Sequence, residues 1–224
     1  MDRLIDYYFN PAVMAAALPA VLRGFGVTVL AAVSLIAVGL ALGLALALLR
    51  CTRIRPVLWL VAAYVDVFRT LPQLVILIVL YFALPYLGLS LSPFAATVLA
   101  LGAVLSAFAA DIFYAAIMAV PRGQWDAARA LGLGTGRVFT LVILRQAIAL
   151  AIPLLTNRAI AIAKGTALGS AIALPETLSS AQSITAITAN PSPLTLAAAF
   201  YLAFFIPLVV LSRQLERRFG PAGA

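Results

Sequence analysis

Five long apolar runs dictate most of what this chain can become. They cover roughly residues 25–49, 57–86, 94–119, 146–168 and 194–212. Crossing a bilayer core takes about 20 apolar residues in helical form, and each run reaches or approaches that length. The rest of the composition agrees: 65% of the 224 residues are hydrophobic and 10% are charged. Soluble domains sit nearer half apolar and a quarter charged. The runs are rich in Leu, Ala and Val and lack the short alternating segments of an outer-membrane barrel. Their backbone must therefore satisfy its own hydrogen bonds inside helices. The expectation is an all-α integral membrane protein with five transmembrane helices, residues 1–224 forming one domain.

Charge then orients the runs. The formal net charge is +8, and the basic residues are spread over run ends rather than gathered in one stripe, which argues against a nucleic-acid partner. Arg50, Arg53 and Arg55 follow the first run, several arginines follow the third, and Arg213, Arg217 and Arg218 follow the fifth. The connections after the second run (86–93) and the fourth carry no basic residue. By the positive-inside rule the N-terminus lies outside and the C-terminal tail 213–224 is cytoplasmic. Residues 1–23 read as an interfacial lead-in broken by Pro11 and Pro19. The Met-Asp-Arg start and Asp6 lack the cationic region and cleavage site of a removed signal peptide.

Several chemistries are disfavoured. With Cys51 alone and no His, neither an intrachain disulfide nor a metal site is expected. The chain carries no HExxH and no GxxxxGK[ST], so no catalytic residue is assigned, and any nucleotide must be bound by another chain.

Charges inside the runs are the candidate functional groups, because ionisable residues at that depth are costly and face protein or a water-filled path. Asp66 and Arg69 are three apart on one helix face, just before Pro72, which should kink the run. Asp111 is expected to form a structural ion pair, with Arg69 or Arg122 as partner. Asn157, Arg158 and Lys164 lie on the fourth run; Asn157 and Lys164 share a stripe, and two cations with no acid between them suggest a cavity for anionic groups. Gly39 and Gly43 fit a small-residue packing pattern.

The longest charged connection, 120–145, holds Arg122, Asp126, Arg129, Arg137 and Arg145, with small residues and the glycines Gly132 and Gly134. It reads as a short helix that stops abruptly, suited to a soluble partner. Its order, Asp126-Ala127-Ala128, then Gly132, then Ile143 or Ile152 and Pro153, resembles the EAA motif of ABC importer permeases. Tyr64-Val65-Asp66-Val67-Phe68-Arg69-Thr70-Leu71-Pro72 is similar to the Y-V-x-x-F-R-G-T-P of the polar-amino-acid branch (the histidine, glutamine and glutamate permeases). So are Leu18-Pro19 through Thr28, Gly123-Gln124, the series Asn157, Ile160, Lys164, Thr166, Leu168, and Leu215-Glu216-Arg217-Arg218. There are departures. Asp126 replaces Glu, keeping a charge favourable in a helix's first turn; Arg145 replaces Pro, Tyr114 an Arg, Gly165 an Asp, and Arg158 a common Glu.

The resemblance implies a type I importer permease fold in the inner (plasma) membrane of a bacterium. It implies a second permease subunit, two ABC ATPase subunits that bind ATP and Mg, an external solute-binding protein, and surrounding lipid. No cofactor is expected in this chain. Gly123, Gln124, Asp126, Ala127, Ala128, Leu131, Gly132 and Leu133 would form the ATPase-coupling element, with Asp126 orienting it, the alanines allowing close approach and the leucines supplying apolar contact. Asn157, Arg158, Lys164, Asp66 and Arg69 would line the path. The cargo would be polar amino acids, acidic ones among them, since Arg158 suits an additional carboxylate. The competing reading is a secondary carrier or channel working without an ATPase.

Overall fold

The computed structural model describes residues 6–219. The helices are α1 (Pro11–Cys51), α2 (Arg55–Thr70), α3 (Gln73–Ala83), α4 (Pro93–Ala119), α5 (Arg122–Ala130), α6 (Thr135–Ile172), α7 (Thr177–Thr188) and α8 (Ser192–Phe219). Among the described residues four helices are long and apolar enough to span a membrane unbroken: α4, α6, α8 and the N-terminal helix that contains α1. Arg55–Thr70 and Gln73–Leu87, which holds α3, are together long and apolar enough for a fifth span but are bent by 108° at the break between them.

Local chemistry explains the breaks. Pro72 does more than kink the second run: it caps α3 from outside the helix, with Leu71 extended before it, as the residue preceding a proline prefers. Conversely, Pro11 and Pro19 do not break a lead-in. Pro11 takes the first helical turn, where its missing N–H is an orphan anyway, Asn10 caps Ala12 and Val13, and Pro19 is carried inside the continuous α1. The lead-in is thus one helix with the first run. The fourth run also begins earlier than hydropathy suggests, at Thr135; it passes through a wide π-type turn at Val138–Ile143 and tightens to a 3₁₀ segment at Lys164–Ile172. The polar residues 175–193 that follow it include the helix α7.

Helix α4 is the buried axis of the molecule. Helix α1 lies along it in the same direction, with Gly39 opposite Leu105 and Gly43 opposite Ala109; a Cβ at Gly39 would stand 2.7 Å from Leu105 Cβ. The two glycines are therefore what lets the backbones approach. Ala31, Leu35, Ile76, Leu101, Ala159 and Ile162 join four helices in one apolar cluster, and Ala47, Phe113, Ala128, Val138 and Ile143 form a second at the far end. Helix α8 starts beside the start of α1, where Ser192 Oγ accepts from the Asn10 N–H at 2.9 Å. All basic connections thus emerge at one end of the bundle, called the basic end below.

Candidate functional site

The basic end carries a short amphipathic helix. In α5 Ala128 is buried against the chain's own core and Trp125 packs its ring 6.2 Å from that of Phe139. The helix stops in a Schellman motif: the Gly132 N–H reaches the Arg129 carbonyl at 2.9 Å and the Leu133 N–H reaches the Ala128 carbonyl at 3.3 Å. That closure needs a left-handed residue, and Gly132 supplies it at φ 77°. Leu133 folds back into the same apolar cluster as Ala128. Leu131 is left outside, 82% exposed.

The eight coupling residues are thus divided. Gly123, Gln124, Asp126, Ala127, Leu131 and Gly132 are exposed, whereas Ala128 and Leu133 turn inward. Ala128 is small because its own chain presses on it, which corrects the expectation that it clears space for a partner. Asp126 falls outside the first turn, so the helix-dipole argument does not apply to it; its neighbour is Arg129, 3.7 Å away.

Within the bundle, Asp111 of α4 is gripped from both sides. One carboxylate oxygen accepts from Arg50 at the end of α1 and the other from Arg69 at the end of α2. Arg69 was one of its two expected partners; Arg122 is not the other. Arg50 also lies over the Tyr114 ring, 4.4 Å from its centroid, so the aromatic at position 114 has a cationic neighbour of its own. Asp66 is exposed and forms no ion pair among the described residues. The helix-face pairing of Asp66 with Arg69 therefore gives way to the longer-range pair with Asp111.

The fourth-run cations separate. The Arg158 guanidinium sits 4.1 Å from the Phe108 centroid, and Arg69 shares that ring at 5.2 Å. Lys164 instead faces Phe205 of α8 at 5.8 Å, in a groove of about 660 Å³ that also includes Tyr201 and Arg213. Arg158 and Lys164 therefore do not build one cavity in this chain. Neither forms an ion pair among the described residues. Asn157 is exposed.

Opposite the basic end is a hub not singled out from the sequence. Glu176, with no exposed surface, caps α7 by accepting from the Leu178 and Ser179 N–H groups at 2.9 and 2.7 Å. Tyr201 of α8 donates to the same carboxylate at 2.6 Å and Thr28 of α1 at 3.5 Å. Thr28 also meets Thr177 at 2.7 Å. Three helices are pinned through one side chain. An acid alone in an apolar region, followed by Thr-Leu-Ser-Ser, was the available signal.

A polytopic helical bundle, an exposed elbow at one end and charges within the helices are features of membrane transport subunits of the permease class. Residues 39–221 match the family described as binding-protein-dependent transport system inner membrane component. The chain belongs to that family. The probable amino-acid ABC transporter permease protein YckA of Bacillus subtilis (strain 168) is 34% identical over 179 residues, covering 80% of this chain and 79% of its own length. The probable glutamine ABC transporter permease protein GlnM of the same organism is 36% identical over 196 residues, 87% of this chain and 91% of its own. A solved structure described as an amino acid ABC transporter with histidines superposes with a TM-score of 0.83 at 32% identity, covering 92% of this chain and 96% of that one. The inward-facing MetNI methionine ABC transporter shares the fold, with a TM-score of 0.68 at 19% identity over 93% of this chain and 98% of that one. The relatives are transporter permease subunits rather than enzymes, and this chain is a multi-pass inner-membrane component with the type I importer permease fold.

Proposed function

We propose that this chain, paired with a second permease subunit, moves polar amino acids inward under the drive of two ABC ATPases docked on α5 and the turn that follows. The observation that carries the reading is Leu131, a large apolar side chain held outward by a left-handed glycine and internal hydrogen bonds. An apolar residue displayed on a rigid elbow suits a groove on a partner. In this reading the basic end faces the cytoplasm, in keeping with the positive-inside rule, and an external binding protein delivers cargo at the end where Glu176 ties the helices together. ATP and Mg belong to the ATPases. Nucleotide acts by favouring one conformation of the complex, and the docked elbow passes that preference to α4 and α6. Reconstitution with the ATPase and binding protein tests this: uptake should require hydrolysis, and uptake without it would establish the carrier mechanism instead.

Cargo selection is assigned to Arg158. Its charge has no carboxylate partner among the described residues, and both oxygens of nearby Asp111 are already engaged. A guanidinium offers a bidentate fork to a carboxylate, so the preferred cargo carries one carboxylate more than a neutral amino acid. Arg158→Glu should shift competition uptake from glutamate toward arginine; an unchanged preference would remove Arg158 from selection.

A further inference from the structure

A sizeable cavity lies not along the bundle axis but at the basic end, between the termini of α1 and α4 and one flank of α5. Its volume is about 940 Å³. Four arginines line it, Arg50, Arg53, Arg122 and Arg129, against a single acid, Asp126. Two of the four are already engaged: Arg50 with Asp111, and Arg129 near Asp126. Arg53 and Arg122 form no ion pair among the described residues. Thr52 and Thr135 add hydroxyls, and most of the remaining lining is apolar or aromatic, including Leu48, Ile117, Val120, Trp125 and Phe139.

We infer that this cavity is a binding site for the headgroup of an anionic phospholipid. Charge selects an anion, and a phosphate monoester or diester matches the planar donors of arginine. Size and lining select the amphiphile. Inorganic phosphate is far smaller than the cavity and would leave its apolar floor wet, whereas a glycerophospholipid places its phosphate by Arg53 and Arg122 and the start of an acyl chain on Leu48 and Ile117. Location agrees, because the cavity opens where the apolar runs of α1 and α4 give way to Arg50, Arg53 and Arg122, the kind of transition at which headgroups and interfacial aromatics meet. Basic pockets between membrane helices are a recurrent form of lipid recognition. The occupant would sit against that flank of α5, so the site would couple the seating of the elbow to membrane charge.

Trp125 is a built-in reporter. The chain has two tryptophans, and the other, Trp59, is 78% exposed on α2. In the full-length chain with Trp59→Phe, reconstituted in phosphatidylcholine vesicles, Trp125 fluorescence is titrated with brominated phosphatidylglycerol and, separately, brominated phosphatidylcholine. The expected result is saturable quenching that favours phosphatidylglycerol. That preference should fall about fivefold in Arg53→Gln and again in Arg122→Gln, the scale of one arginine near a charged surface. The double change Arg55→Gln with Arg137→Gln removes equal charge outside the cavity and should leave the preference in place. Raising salt on the arginine-intact chain should weaken the preference, a readout independent of whether any variant folds. Equal quenching by the two lipids, equal loss in the outside pair, or relief of quenching by millimolar inorganic phosphate would each overturn the assignment, the last by making it a soluble-anion site.

Discussion

Two polar segments interrupt this apolar chain, and they are completed in opposite ways. The segment at 175–190 is closed on itself: Glu176 is buried, its carboxylate accepts from Leu178, Ser179, Tyr201 and Thr28, and α7 is fixed to α1 and α8. The segment at 122–134 is closed only on its inner side. Its backbone ends in a Schellman turn, Ala128 is buried, and Leu131 faces outward. The first arrangement is a structural fastening, and the second, in the function proposed, is a handle. The contrast suggests that polarity in a membrane chain becomes readable only once its hydrogen-bond partners are known.

That contrast can be broken by substitution. Glu176→Ala should be the most damaging change to stability, since it strands several buried donors at about 1–3 kcal/mol each. A thermal melt in detergent would register it, with Glu176→Gln milder because one acceptor oxygen survives. Asp111→Asn should come next, at about 2 kcal/mol, between the costs for exposed and for buried ion pairs because these side chains are only partly covered. Gly39→Val should cost about 1–3 kcal/mol by forcing α1 from Leu105. Gly132→Ala should cost about 1 kcal/mol, the strain of a left-handed alanine, and should lower coupling to ATP hydrolysis more than it lowers the melt. A milder effect at Glu176 than at Gly132 would reverse the comparison.

Much of this was legible from residue order. Apolar runs predicted the spans, and the spacing of Ala128, Gly132 and the flanking charges predicted a short helix with an abrupt stop. What the sequence concealed were the long-range choices. Asp66 and Arg69 are adjacent on a helix surface, yet Arg69 gains more from Asp111, which is held between two helices. Arg158 and Lys164 are both on the fourth run, but six residues of α-helix set them about 120° apart, so one meets Phe108 of α4 and the other Phe205 of α8. Glu176 carries no local sign of its role because its partners, Thr28 and Tyr201, lie 148 and 25 residues away. Hydropathy also placed helix boundaries too late at Thr135 and misread Pro19, since a proline early in a long helix costs less once the surrounding bundle fixes the backbone.

The central claim, that the outward face of the elbow serves a partner rather than the fold, is tested most directly at Leu131. Leu131→Glu should leave the melting temperature of the isolated chain within the scatter expected of a surface change, about 0.5 kcal/mol. In proteoliposomes holding the permease, the ATPase and the binding protein, the same change should abolish ATP-driven uptake and weaken ATPase co-purification. Full uptake by the variant, or a loss of uptake that merely follows a loss of fold, would contradict the account.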